Sequence, residues 1–156
     1  LTFTKDAEKK IPLLFDMLYP SSWLDEVTEN DDSGRTNREV EAEHYLKRIK
    51  ATPPQSMLGA FSQMSAGLTH HVSNERLRKI SGDIPKVVIV TGDNDHLIHP
   101  QNSFHLKNNI PQAEFIQWEK TGHAIHYQHR KQFNELMRRV IVEGREKVSN
   151  QAVNLS

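Results

Sequence analysis

The sequence has 156 residues, with 20 Lys and Arg against 20 Asp and Glu, nine His and no Cys. This length fits about one domain, and the balanced charge offers no basic surplus for nucleic acid or an anionic membrane. The longest apolar run, Val87-Val88-Ile89-Val90, is too short to span a membrane. Without cysteine nothing requires an oxidising compartment, which favours a cytoplasmic location.

The first region, residues 1 to about 80, has the pattern of helices and loops. Apolar residues at helical spacing predict a helix from Thr4 to Leu18, which Pro12 is able to interrupt. A polar loop from Asp25 to Arg38 follows. Asn37 is expected to cap the next helix, which ends near Ile49 before two prolines.

A third helix, from about Gln55 to Val72, carries one apolar stripe. Its members recur every three or four residues: Leu58, Phe61, Met64, Leu68 and Val72. Such a stripe predicts packed core, although Met57, Phe61, Met64 and Leu68 would also suit an acyl pocket. A short helix from Ser73 to about Ile80 closes the region.

From residue 81 onward, strands and helices alternate. The run from Val87 to Thr91 is apolar without alternation, which predicts a central strand of a covered parallel sheet. Pro100 suits the first turn of a helix that extends to Asn109. A second strand is expected from Ala113 to Trp118.

The chain is expected to end in one amphipathic helix and a tail. The helix is predicted from about His129 to Glu143, with Gly144 as the residue that terminates it. Residues 147–156 are polar and are expected to fray.

Two loops follow the predicted strands and carry titratable side chains. Asp95 ends the segment Gly92-Asp93-Asn94-Asp95, and His123 follows Thr121-Gly122. Ligands and catalytic groups gather at the carboxyl ends of parallel strands. A carboxylate there can hold one ring nitrogen of a histidine while the other takes a proton. Asp95 also has a simpler interpretation as a turn residue.

This segment resembles the alpha/beta-hydrolase family. The resemblance lies in a strand, Gly92-Asp93-Asn94-Asp95, the apolar pair before Pro100, a helix, a second strand and Gly122-His123 before a terminal helix. It implies that Asp95 is the acid and His123 the base of a Ser-His-Asp triad. It also implies esterase- or lipase-like hydrolysis of a small ester-like substrate, with no cofactor and no metal.

The same resemblance predicts the architecture. It implies an α/β chain, the C-terminal portion of the hydrolase fold, with two or so parallel strands and flanking helices. A helical cap and its return helices would occupy residues 1–80, and the C-terminal part of the core residues 81–146.

The family's nucleophile motif, Gly-x-Ser-x-Gly, is missing from this sequence, and Met64-Ser65-Ala66-Gly67 has only half of it. No His-Gly-Gly loop for an oxyanion hole occurs either. We therefore expect a C-terminal half, a fragment or processed product that begins at Leu1. The nucleophile would come from the N-terminal half of the same fold, in the same or a separate chain.

Three alternatives remain open at this point. The chain could be a non-catalytic subunit that docks on another protein, because one fold hosts many functions. It could be a different α/β domain that binds an anion or nucleotide, although it has no glycine-rich phosphate loop. Finally, His123, His126 and His129 recur at a spacing that zinc could use, but no carboxylate shares it.

Overall fold

The computed structural model describes residues 7–29 and 32–153, in two compact units, residues 1–71 and 72–156. The first unit contains α1 (Ala7–Leu18), α2 (Ser21–Asp25), α3 (Asn37–Ala51) and α4 (Met57–Thr69). The second contains α5 (Asn74–Asp83), β1 (Val88–Gly92), α6 (Gln101–Asn109), β2 (Glu114–Trp118), α7 (Ile125–Gln128) and α8 (Arg130–Val153). The predicted α/β arrangement of parallel strands and flanking helices is confirmed.

Aromatic and aliphatic side chains of α1, α2 and α3 form the core of the first unit. Phe15 and Tyr19 are buried and meet edge to face, with ring centroids 5.5 Å apart, while Leu24 and Val40 are buried on α2 and α3. Pro12 lies inside α1 without ending it, so the expected interruption is wrong. Packing of the apolar face offsets the hydrogen bond that a proline cannot donate. The predicted start at Thr4 lies outside the described residues.

Thr36, rather than Asn37, caps α3. Its hydroxyl accepts a hydrogen bond from the amide of Glu39 at 3.3 Å, and its amide donates to the Glu39 carboxylate at 2.8 Å. This reciprocal capping box satisfies two amides at the helix start. Asn37 is instead the first helical residue, buried, with Nδ2 donating to the carbonyl of Trp23 at 2.9 Å.

The apolar stripe of α4 is exposed, contrary to its interpretation as core. No residue of this helix is buried, and Leu58 and Leu68 are 77% and 81% exposed. Ser56 caps the helix by accepting from the amide of Gly59 at 3.0 Å, and the helix ends at Thr69. The periodicity predicted the helical spacing of Leu58, Phe61, Met64 and Leu68 but carries no information about what covers that face. Val72, the last member of the predicted stripe, lies beyond the end of the helix and is partly buried against the cluster that contains Leu77 and Ile89.

The two strands are parallel, and helices cover both faces of the sheet. Val88 lies opposite Glu114 and Gly92 opposite Trp118. One face packs on α5 and α6 through a cluster that comprises Leu77, Ile89, Ile110, Ala113 and Phe115. The other face meets the C-terminal helices, where the Trp118 ring contacts the His129 ring. This double cover explains why β1 lacks an alternating pattern.

Four charged side chains join α8 to the beginning of the sheet. Glu114 accepts from Arg139 at 2.6 Å and from Lys86 at 2.7 Å, and Glu143 also pairs with both cations. Hydrogen bonds from Arg139 and Lys86 lower the pKa of Glu114 to about 2. We call these four residues the ion cluster.

Helix α8 continues through Gly144 to Val153, so the predicted end at Gly144 and the frayed tail are wrong for the described residues. A single glycine costs a helix only about 1 kcal/mol relative to alanine. Gly144 faces Lys86, and a β-carbon there would lie 3.7 Å from the Lys86 Cβ, in ordinary contact. The predicted start at about His129 is close to the observed start at Arg130. A separate one-turn helix, α7, precedes α8 and was not expected.

Candidate active site

The Asp95 carboxylate is held by the loop that follows β1. Its Oδ1 accepts hydrogen bonds from the backbone amides of Leu97 at 2.9 Å and Ile98 at 2.8 Å. Aspartate side chains commonly fold back on the following backbone in this way. The side chain is only 8% exposed, so its orientation is fixed by the turn.

His123 meets the second oxygen of that carboxylate. Its Nδ1 lies 2.9 Å from Asp95 Oδ2, and the ring is 37% exposed. A carboxylate only accepts, so Nδ1 carries the proton and donates it. Among the described residues, Nε2 has no hydrogen-bond partner. In this tautomer Nε2 therefore has a lone pair that no described residue engages, on a ring that is partly exposed.

The loops that carry the two side chains are joined directly. Asp93 Oδ1 accepts from the amide of Thr121 at 3.0 Å, and the amide of Asn94 donates to the Thr121 carbonyl at 2.9 Å. The backbones approach so closely at Gly92 that an added β-carbon would lie 2.1 Å from the Thr121 carbonyl oxygen. Glycine is therefore required at position 92.

The His129 ring contacts the loop that carries His123. The fully buried Thr121 hydroxyl donates to the Glu119 carbonyl at 2.8 Å and lies 2.8 Å from Nε2 of His129. Because its one proton is used, the His129 ring is the donor in this second contact. Burial lowers the pKa of His129, so the ring stays neutral at a lower pH than an exposed histidine would.

The structure brings Asp95 and His123 together but assembles no triad within the described residues. Ser65, the serine of the half motif, is exposed on α4 in the first unit. Two other serines of that unit, Ser21 on α2 and Ser62 on α4, are exposed as well and lack the motif. The sequence did not reveal the contacts through which Gly92, Asp93, Thr121 and His129 hold the two loops. Gly92 and Asp93 had only the signal of a turn, and side-chain contacts to loop backbone leave no periodic pattern.

No three His, Asp or Glu side chains gather into a possible metal site anywhere in residues 7–29 and 32–153. His123 and His129, which share the suspected zinc spacing, have different partners. Within those same residues, no helix has the length and apolar character that crossing a membrane requires.

A family model described as alpha/beta hydrolase fold matches residues 3–130. The chain belongs to this family. A search of curated proteins found no match. The resemblance seen in the sequence is thus confirmed, and it covers more of the chain than the segment on which it was first recognised.

For this alpha/beta-hydrolase chain, the matched region includes both loops of the Asp95–His123 pair and ends where α8 begins. The two parallel strands and their helices represent a part of the family's α/β fold. Family membership supports a hydrolase-like protein, while the chemistry has to be argued from the side chains.

Proposed function

We propose that this chain supplies the acid and base of a serine hydrolase, Asp95 and His123, for hydrolysis of small ester-like acyl substrates. The observation that carries the proposal is the 2.9 Å hydrogen bond between His123 Nδ1 and Asp95 Oδ2, at the carboxyl ends of adjacent parallel strands. The two amides on Oδ1 leave the carboxylate little freedom to turn away.

In this mechanism Asp95 fixes the ring so that Nε2 is the proton acceptor. Nε2 takes the proton of a serine hydroxyl as it attacks the ester carbonyl, and the resulting imidazolium is stabilised by the carboxylate. Nε2 then gives the proton to the leaving alcohol, which produces an acyl-enzyme. Water, deprotonated by Nε2, releases the acid and restores the serine.

The serine and the oxyanion hole would come from the N-terminal half of the same fold, because the sequence contains neither motif. The hydrogen bonding of the sheet supports a further strand from that half. Val87 and Asp93 bond to β2, so the peptide groups of Val88 and Val90 point to the opposite edge. No described strand pairs with that edge. Within the proposal, the helical unit of residues 1–71 serves as the cap.

The test uses this chain together with the N-terminal half of the fold, in the same or a separate polypeptide, and p-nitrophenyl esters of increasing acyl length. His123→Ala is expected to lower kcat/KM by about 10⁴-fold, and Asp95→Asn somewhat less, because the ring loses its orientation. A fluorophosphonate probe should label one serine in the wild type and label it much more slowly in His123→Ala.

His105→Ala is the matched control, because it removes an exposed histidine on α6. It is expected to retain wild-type rates. Hydrolysis at an unchanged rate in His123→Ala would overturn the assignment.

A non-catalytic subunit is the second candidate, favoured by the unpaired edge of β1 and the exposed stripe of α4. In that case the wild type and His123→Ala would be equally inactive and unlabelled. Both would still form a complex with the chain that completes the sheet.

A further inference from the structure

The loop that leads to His123 contains a residue in the left-handed backbone conformation, three positions before the histidine. Lys120 has a φ of +50°, the one positive value at a non-glycine position among the described residues. A side chain in this left-handed region is unfavourable because its β-carbon crowds the following carbonyl oxygen. Such a conformation persists where surrounding contacts impose it.

Gln128 makes contacts that impose it. Its Nε2 donates to the Lys120 carbonyl at 2.7 Å, and its Oε1 accepts from the Gly122 amide at 3.0 Å. One amide group thus bridges the residues on either side of Thr121. Helix α7 is a single turn that returns the chain beneath the loop, which brings Gln128 into reach.

The Gly122 amide belongs to the peptide group between Thr121 and Gly122, so the bond from Gln128 fixes the backbone one peptide before His123. Asp93 holds the Thr121 amide within the same three-residue segment. The loop is therefore fixed by the turn after β1 and by α7. The bond to Asp93 belongs to the junction of the two strands, whereas the two bonds to Gln128 lie within the histidine's own loop.

We propose that Gln128 is a positioning residue for His123: its amide holds residues 120–122 so that Nδ1 stays bonded to Asp95. This inference rests on the proposed function for its effect on turnover, but the effect on the ring is independent of it. Without the bridge, the left-handed turn relaxes and the ring loses its fixed distance to the carboxylate.

The experiment replaces Gln128 by methionine, which has similar length and no amide, in the full-length protein. Imidazole ¹⁵N shifts report which nitrogen of His123 carries the proton. In the wild type we expect the Nδ1–H form to dominate, and in Gln128→Met a mixture with the Nε2–H form. The kcat for an ester should fall by roughly 10- to 100-fold with a smaller change in KM, since a shift of about 1 Å has such consequences.

Gln117→Met is the matched control, an exposed glutamine on β2 that is expected to leave the His123 spectrum and kcat unchanged. A Gln128→Met protein that keeps the wild-type tautomer overturns the inference, even if it melts at a lower temperature. If His123→Ala proves fully active, the proposed hydrolase mechanism fails, whereas the tautomer measurement still decides the role of Gln128.

Discussion

At the residue scale, the most constrained group of the site is the carboxylate and the more accessible one is the ring. Both oxygens of Asp95 are hydrogen-bonded, whereas His123 uses one nitrogen and leaves the other available. This division is what the proposed mechanism requires, because a fixed carboxylate orients the ring and the other nitrogen is left to accept a proton.

Gly92 should tolerate no side chain. In Gly92→Ala the new β-carbon would have to displace the Thr121 carbonyl, since the two atoms would be 2.1 Å apart. Such overpacking costs roughly 1–3 kcal/mol of unfolding free energy and separates the two loops. Urea unfolding measures the loss, and the His123 ring ¹⁵N shifts measure the separation.

The control for that substitution is Gly82→Ala, a glycine of α5 with no atom within 4 Å of the added carbon. It should be neutral or stabilising by up to about 1 kcal/mol, because alanine is the better helix former. Equal stability of Gly92→Ala and the wild type would contradict the close approach at this position.

At the element scale, charged side chains link α8 to the sheet. The ion cluster combines side chains that flank β1, begin β2 and lie on α8, and Lys86 is largely buried within it. A partly buried network with several partners contributes more than isolated surface pairs do. Because two of its four members are carboxylates, the stabilisation that the ion cluster provides should depend on pH.

Acid should weaken the cluster in a defined range. The folded pKa of Glu114 is about 2, below its ordinary value of 4.5. Its stabilisation is therefore complete above about pH 4.5 and is lost as the pH falls towards 2. Unfolding free energies measured across this range should fall less steeply in Glu114→Gln than in the wild type.

Glu135→Gln removes an exposed carboxylate from α8 outside the cluster and serves as the control. It should show the wild-type slope. Identical slopes for Glu114→Gln and the wild type would contradict a contribution from the cluster.

The sequence predicted β1, α6 and β2 of the second unit well because the signals for these elements are local. β1, α6 and β2 lie within about a residue of expectation, since an apolar run and a proline at a helix start are sequence signals. The meeting of the two loops was predictable because parallel strands bring their carboxyl ends together, whereas the choice of Asp95 and His123 within them came from the resemblance to the alpha/beta-hydrolase family. The bridge from Gln128 was not, because it depends on the left-handed turn at Lys120.

The errors have a common physical origin. Gly144 as a helix end, Pro12 as an interruption and the α4 stripe as core were each inferred from local preference. Local preference amounts to about 1 kcal/mol for glycine and about 3 kcal/mol for proline in a helix, which packing elsewhere in the chain can outweigh. The residues of an apolar helix face do not specify which other part of the chain packs against it.

At the scale of the whole molecule, each unit has a surface that no described residue covers or pairs. The first unit exposes the apolar stripe of α4, and the second has a sheet edge whose backbone N–H and C=O groups pair with no described strand. Surfaces of both kinds promote association.

Residues 1–156 expressed without any further chain should self-associate at micromolar concentration and bind the dye ANS. Light scattering coupled to gel filtration measures the association. Leu58→Ser with Leu68→Ser should reduce it, because these are the most exposed leucines of the stripe. Leu13→Ser, on α1, is the control and should change little. A monomeric wild type with a cooperative thermal transition would contradict this expectation.

The ion cluster crosses the limit of the family match. Lys86 and Glu114 lie inside residues 3–130, whereas Arg139 and Glu143 lie beyond them. The terminal helix is therefore not an interchangeable module. A chimera that replaces α8 would keep these ion pairs only if Lys86 and Glu114 were replaced to match the new helix.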